Sequence, residues 1–222
     1  MSSRKKEFSG NFEKPASKYL EWASEDACFK FWNGTEKESV NLPMKFLVLK
    51  EFHTVKGWHD KSSSAIFANE VKNISAEQLE VKAFKGGVIT RGIYKDIKDV
   101  ISAAGGRYVK SVYAMTEDGE IINLQLKGAT VKAWGDAFNK GRSRLADEWV
   151  SITDFEKLKK GRVEYTVPNF KFDGSLTDAQ GELADKVYEK LDASLSKRHS
   201  DVEKVEVEDD DFAPLEDDEV DF

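Results

Sequence analysis

The sequence predicts a mainly β protein: a five-stranded, OB-fold-like barrel with a helix between its third and fourth strands, followed by a C-terminal helical extension and an acidic tail. Three observations predict it. Short segments of alternating apolar character, separated by turn residues, fill residues 19–84. The hydrophobic period then changes to helical spacing over residues 92–103. A strand pair joined through Asp118-Gly119 follows at once. Strands, one helix, then a hairpin is the element order of an OB barrel, whose closure removes exposed edges and leaves one groove across its face.

Each element has its own warrant. Residues 19–22 and 27–32 carry aromatic and alternating character, and Asn33-Gly34 is a turn signal. After Pro43, residues 45–52 (KFLVLKEF) form a strand with a wide apolar face, which residues 55–58 prolong. Residues 65–71 and 79–84 are two further strands, and Gly86-Gly87 breaks the pattern. Ile93, Ile97, Val100 and Ile101 share one helix face, and Gly105-Gly106 ends that helix. Residues 107–115 and 121–127 are the hairpin strands. Residues 129–139 read as a helix, with Trp134 and Phe138 four apart. Residues 149–152 and 163–172 add strands, and residues 176–195 form a charged helix with Leu183, Val187, Leu191 and Leu195 on one stripe. The chain thus divides into a flexible basic arm (1–16), the OB-like domain (17–172), the helical extension (173–200) and a disordered tail (201–222). No internal repeat is visible.

Charge is distributed unevenly. The chain of 222 residues carries −7 overall, but residues 201–222 hold twelve acids and one base, a net −11. The remaining 200 residues are therefore +4. A run of like charges with few apolar groups cannot collapse. A basic body favours a polyanion, and a movable acidic tail competes with that polyanion for the same surface. The 25 aromatic residues suffice for a core. The single cysteine, Cys28, excludes an internal disulfide and reads as a buried thiol in an apolar run. Three histidines and one cysteine give no zinc spacing, so no metal or cofactor is expected. No apolar run approaches a membrane span, and the start lacks a signal-peptide core, which predicts no membrane association and a cytoplasmic protein.

Cations and aromatic rings interleave through the strand region. Lys56 and Trp58 lead into a loop that holds Lys61; Lys82, Phe84 and Lys85 close another strand. Arg91 and Tyr94 open the helix, Arg107, Tyr108 and Lys110 lie on the next strand, and Lys127 follows the hairpin. Single-stranded nucleic acid needs both residue types, because cations track phosphates and flat rings accept unstacked bases. Residues two apart on a strand share a face. Tyr108 with Lys110 is the more polar set and is taken as the ligand side, while Phe29, Phe31, Phe46 and Phe67 are assigned to the core. Enzyme signals are poor, with neither a phosphate-binding loop nor a nucleophile elbow. Asp60 with Glu80-Val81-Lys82 is the skeleton of a Mg²⁺-dependent nuclease site, a short pattern that alternation often produces by chance.

The acidic end LEDDEVDF, together with the strand-borne cations and rings, resembles the bacteriophage and bacterial single-stranded DNA-binding proteins. The tail likeness covers the final eighteen residues, and that of the body is one of layout, including AFKGGVITRGIYKDI and LQLKGATVKAW. The resemblance implies sequence-independent binding and protection of single-stranded DNA during replication, recombination or repair. It also implies recruitment of replication or recombination proteins through Asp217, Asp218, Glu219, Asp221 and Phe222, and, for a phage-encoded member, the cytoplasm of a bacterial host. Two departures matter. A charged helix replaces the usual Gly/Pro/Gln-rich linker, and Val220-Asp221 stands where a proline normally precedes the final phenylalanine. A tetramer therefore does not carry over, and a monomer or homodimer is expected. The rival reading is a protein-interaction or DNA-mimic module that acts through the tail alone.

Overall fold

The structure, a computed structural model, describes residues 14–209. In chain order the elements are β1 (Lys18–Ala23), β2 (Cys28–Trp32), β3 (Lys37–Val40), β4 (Met44–His59), β5 (Ser64–Ala68), β6 (Leu79–Ala83), β7 (Gly87–Gly92), α1 (Tyr94–Ala103), β8 (Gly106–Thr116), β9 (Ile121–Leu126), α2 (Ala129–Phe138), β10 (Glu148–Lys160), β11 (Val163–Ser175) and α3 (Asp178–Asp209). The eleven strands belong to one sheet, in the order β3-β2-β1-β9-β8-β4-β5-β6-β7, with β10 also on β4 and β11 on β10. The protein is mainly β, as the alternation predicts.

The sheet is open, which corrects the closed five-stranded barrel. The N-terminal strand β1 pairs in parallel with β9 (Leu20 beside Leu124) and continues the sheet into β2 and β3. It thereby occupies the edge of β9 that closure would need. At the far end β11 meets the β1–β2 turn through single groups, without a ladder between strands. The Thr166 amide donates to Ser24 Oγ (2.7 Å), Thr166 Oγ1 donates to the Ser24 carbonyl (2.6 Å), and Trp22 Nε1 donates to the Thr166 carbonyl (2.9 Å).

Strand β4 organises the fold. One edge pairs with β8 from Phe46 to Gly57. The other is divided, with Met44–Phe46 against β10, a bridge from His53 to Val71, and Lys56–His59 against β5. Gly57 lies opposite Gly106, and a Cβ at Gly57 would run into the Gly105 carbonyl, so only glycine lets the two backbones approach there. One face of this spine bears two apolar cores. The first joins β1, β2, β8–β11 and the start of β4 to α2, around Phe29, Phe46, Leu124, Trp134 and Phe170. The second joins β5, β6 and the end of β4 to α1, around Val55, Ile66, Val81, Ile97 and Ile101. Phe29 and Phe46 are core residues as expected, and Cys28 is buried.

The chain divides into two compact units, the larger being Ala16–Val187. Helix α3 begins in that unit, and Tyr188–Asp209, its continuation, belongs to the second. Its backbone is helical through Asp209, beyond residue 200, where the disordered tail was expected to begin. Among the described residues, no helix is long and apolar enough to cross a membrane.

Candidate functional site

Cross-strand register assembles a row of side chains on the face opposite the second core. In β5 the residues alternate, with Ser64, Ile66 and Ala68 buried and Ala65 and Phe67 exposed. In β6, Leu79, Val81 and Ala83 are buried and Glu80 and Lys82 are not. Because paired residues share a face, the pairings Arg107↔Lys56, Lys56↔Phe67 and Phe67↔Lys82 set cation, cation, ring and cation side by side across β8, β4, β5 and β6. With strands about 4.8 Å apart, the row spans about 14 Å. Trp58, opposite Ala65, lies on the same face two residues along β4. Trp58 is 55% exposed, Phe67 42% and Phe84, just beyond β6, 75%. Three large rings open to solvent on one face are unusual for a surface with no ligand.

Lys56 Nζ stands 5.4 Å over the Tyr19 ring, which draws β1 into this face. Glu80 sits at the far end of the row, bonded to Arg91 across β7 and to Lys82 at 2.9 Å. Burial alone would raise the Glu80 carboxyl, but the hydrogen bonds from Lys82 and Arg91 outweigh it and hold the group below its usual value. Arg107, Lys61 and Lys85 are exposed and form no ion pair among the described residues. Lys61 lies in the short helical turn after β4, and Lys85 in the β6–β7 turn. Lys56, Trp58, Lys82, Phe84, Arg91 and Arg107 thus converge on one side, with Lys61 and Lys85 at its border.

Three expected ligand residues lie on the reverse face, so the choice of the Tyr108–Lys110 side is overturned. Helix α1 and the cores cover that side. Lys110 is buried and its ammonium pairs with Glu51 at 3.2 Å. Glu51 also accepts from Trp134 Nε1 (2.8 Å) and from Arg142. Burial pushes Lys110 below the usual ammonium value. Tyr108 is bonded to His53 Nδ1 at 2.5 Å and packs against Tyr94, their ring centres 5.6 Å apart. Burial, and then the proximity of Tyr94, pushes Tyr108 up to about 12, while burial and then Lys110 push His53 down. These groups form a polar seam between the two cores. Phe67 is the converse correction: the sequence reading places it in the core, and it is exposed. Its signal was strict alternation with Ile66 and Ala68.

Lys127 extends the candidate face toward β1, at the end of β9 just after the last pair, Leu126↔Lys110, and binds Glu21 at 2.8 Å. Beside it lies a cleft of about 230 Å³, lined in part by Trp22, Gln125, Lys127, Thr130 and Tyr165. Glu80 and Lys82 of the nuclease skeleton bind each other, and no metal-holding group of three His, Cys, Asp or Glu residues occurs among the described residues. Residues 1–13 of the basic arm, and the tail residues Asp217, Asp218, Glu219, Asp221 and Phe222, lie outside the described residues. No family model, curated protein or solved structure matches this chain.

Proposed function

We propose that the protein binds single-stranded DNA without sequence preference, on the surface formed by the outer faces of β5 and β6, the end of β4 and the start of β8. The observation that carries this reading is the row Arg107–Lys56–Phe67–Lys82 with Trp58 and Phe84 beside it. Rings on a pleated surface accept unstacked bases of any identity, and neighbouring cations follow the phosphates. A duplex keeps its bases stacked and offers such rings no partner. An OB-type origin, with the N-terminal strands holding the sheet open, accommodates the same face. The acidic end, residues 210–222, is the competing anion and the recruiting segment for replication or recombination partners.

The test is a binding titration with oligo-dT and a duplex of equal length across a salt series. Tight binding to oligo-dT, weak binding to the duplex and a steep fall in affinity with salt are expected. Equal affinity for both forms at every salt would refute the reading. Removing residues 210–222 should raise affinity for oligo-dT, and an unchanged or lower affinity would reject tail competition. Mg²⁺-dependent loss of the oligonucleotide would favour the nuclease instead.

A further inference from the structure

The β10–β11 hairpin has a length that the sheet does not explain. Of the thirteen residues in β10, only Val150, Ser151 and Ile152 pair with β4. From Phe155↔Pro168 to Lys160↔Val163 the two strands pair only with each other. A two-stranded ribbon is at best marginally stable in water by itself. This one is secured where Thr166 meets Ser24 and Trp22, and the segment beyond Thr166 projects past that fastening. Its tip turns in two residues, Gly161 and Arg162, with Gly161 at φ +63°, a conformation a two-residue hairpin turn demands of its first position.

The tip is cationic. Lys157, Lys159, Lys160 and Arg162 fall within six residues, and all are exposed. Only Lys159 is paired, with Glu164 at 3.3 Å; Lys157, Lys160 and Arg162 have no ion-pair partner among the described residues. Lys160 and the exposed Val163 lie opposite each other, and Leu158 lies opposite Tyr165. The ribbon therefore presents one ring, two aliphatic side chains and a cation on one side. Tyr165 also lines the cleft that holds Lys127, Gln125 and Trp22. That cleft adjoins the end of β9, whose neighbour β8 begins with Gly106 and Arg107.

We propose that the hairpin tip is a second contact for the same single strand. A strand leaving the ring-and-cation row at Arg107 continues over Lys127 and the cleft, and reaches Tyr165, Lys160 and Arg162. The occupant follows from charge and continuity: the tip offers unpaired cations, the cleft offers aromatic walls, and both lie beyond the end of the row. The cleft is smaller than the roughly 300–1,000 Å³ of drug-sized ligand sites, a scale that suits one base. This inference rests on the proposed single-strand binding and extends its footprint.

The experiment uses the full chain and its K160Q/R162Q variant, with W58A as the row control. Binding is titrated against oligo-dT of about 4 nucleotides, the short end of the 4–16 nucleotides typical of one such site and close to the span of the row, and of roughly 30, well beyond that range. For K160Q/R162Q, affinity for the long oligonucleotide should fall about tenfold and its log–log salt slope should lessen by about 1.4, at about 0.7 per lost phosphate contact. Affinity for the short one should not change. W58A should weaken both lengths. Unchanged binding of the long oligonucleotide by K160Q/R162Q overturns the hairpin contact and leaves the row reading intact. Equal losses at both lengths overturn the ordering of the two contacts. If the tip effect disappears once residues 210–222 are removed, the tail is the occupant and the proposal falls. Failure of the unmodified protein to bind either length overturns both readings.

Discussion

Trp58→Ala separates ring stacking from charge. The indole is 55% exposed and stands at the end of β4 opposite Ala65, outside both cores. Its removal leaves no cavity, so the midpoint of urea unfolding should hardly move. A base stacked on a protein ring is worth about 1–3 kcal/mol, and every 1.4 kcal/mol is tenfold in affinity, so Kd for oligo-dT should rise about 5- to 150-fold. The salt slope should remain as it was, because a neutral ring releases no counterions. Fluorescence anisotropy of labelled oligo-dT, repeated at several salt concentrations, reads both quantities. Unchanged affinity with native stability would remove Trp58 from the interface. A flattened salt slope would mean that the substitution had disturbed neighbouring cations, and the assignment of the ring to stacking would fail.

Three further outcomes follow from the same geometry. Arg107→Ala should weaken oligo-dT binding and reduce the log–log salt slope by about 0.7, the share of one phosphate contact on a single strand; an unaltered slope would place Arg107 outside the phosphate path. Glu51→Ala strands the buried Lys110 ammonium and should cost about 3–5 kcal/mol in urea unfolding, whereas Glu51→Leu with Lys110→Met should recover most of it; a mild single-mutant effect would mean that the pair is solvated. His53 is depressed by burial, so the unfolded chain takes up a proton at a higher pH than the folded one. Stability should be full above the ordinary histidine value near 6.5 and decline as pH falls through the lower folded value, and His53→Gln should flatten that decline in thermal melts.

Much of the fold was legible because local signals agreed. The Asp118-Gly119 turn, the apolar stripe Ile97–Ile101 and the pair Trp134–Phe138 each fixed an element to within a few residues. The outer part of β10 is not legible, since the run from Thr153 to Lys160 has no covered face and so no apolar alternation, whereas its partner β11 is read from residue 163 onward. Edge strand β3, of sequence KESV, was missed for the same reason. Openness of the sheet depends on β1 meeting β9 across about a hundred residues, a pairing that no local window records. The candidate face fails on β8, where both sides carry a cation and an aromatic ring: from Val109 to Met115 both sides are buried, and Arg107 is exposed at the strand's start. Composition favoured Tyr108 and Lys110, while packing left Arg107 outside.

The seam of Glu51, Lys110, His53 and Tyr108 lies between the core around Trp134 and the core around Ile101, which are joined through β4 and β8. Wear in one need not loosen the other. The strands beneath the ring-bearing face could tolerate drift, breathing or redesign while the compartment around Trp134 keeps its shape, much as a ship with a bulkhead stays afloat with one hold flooded.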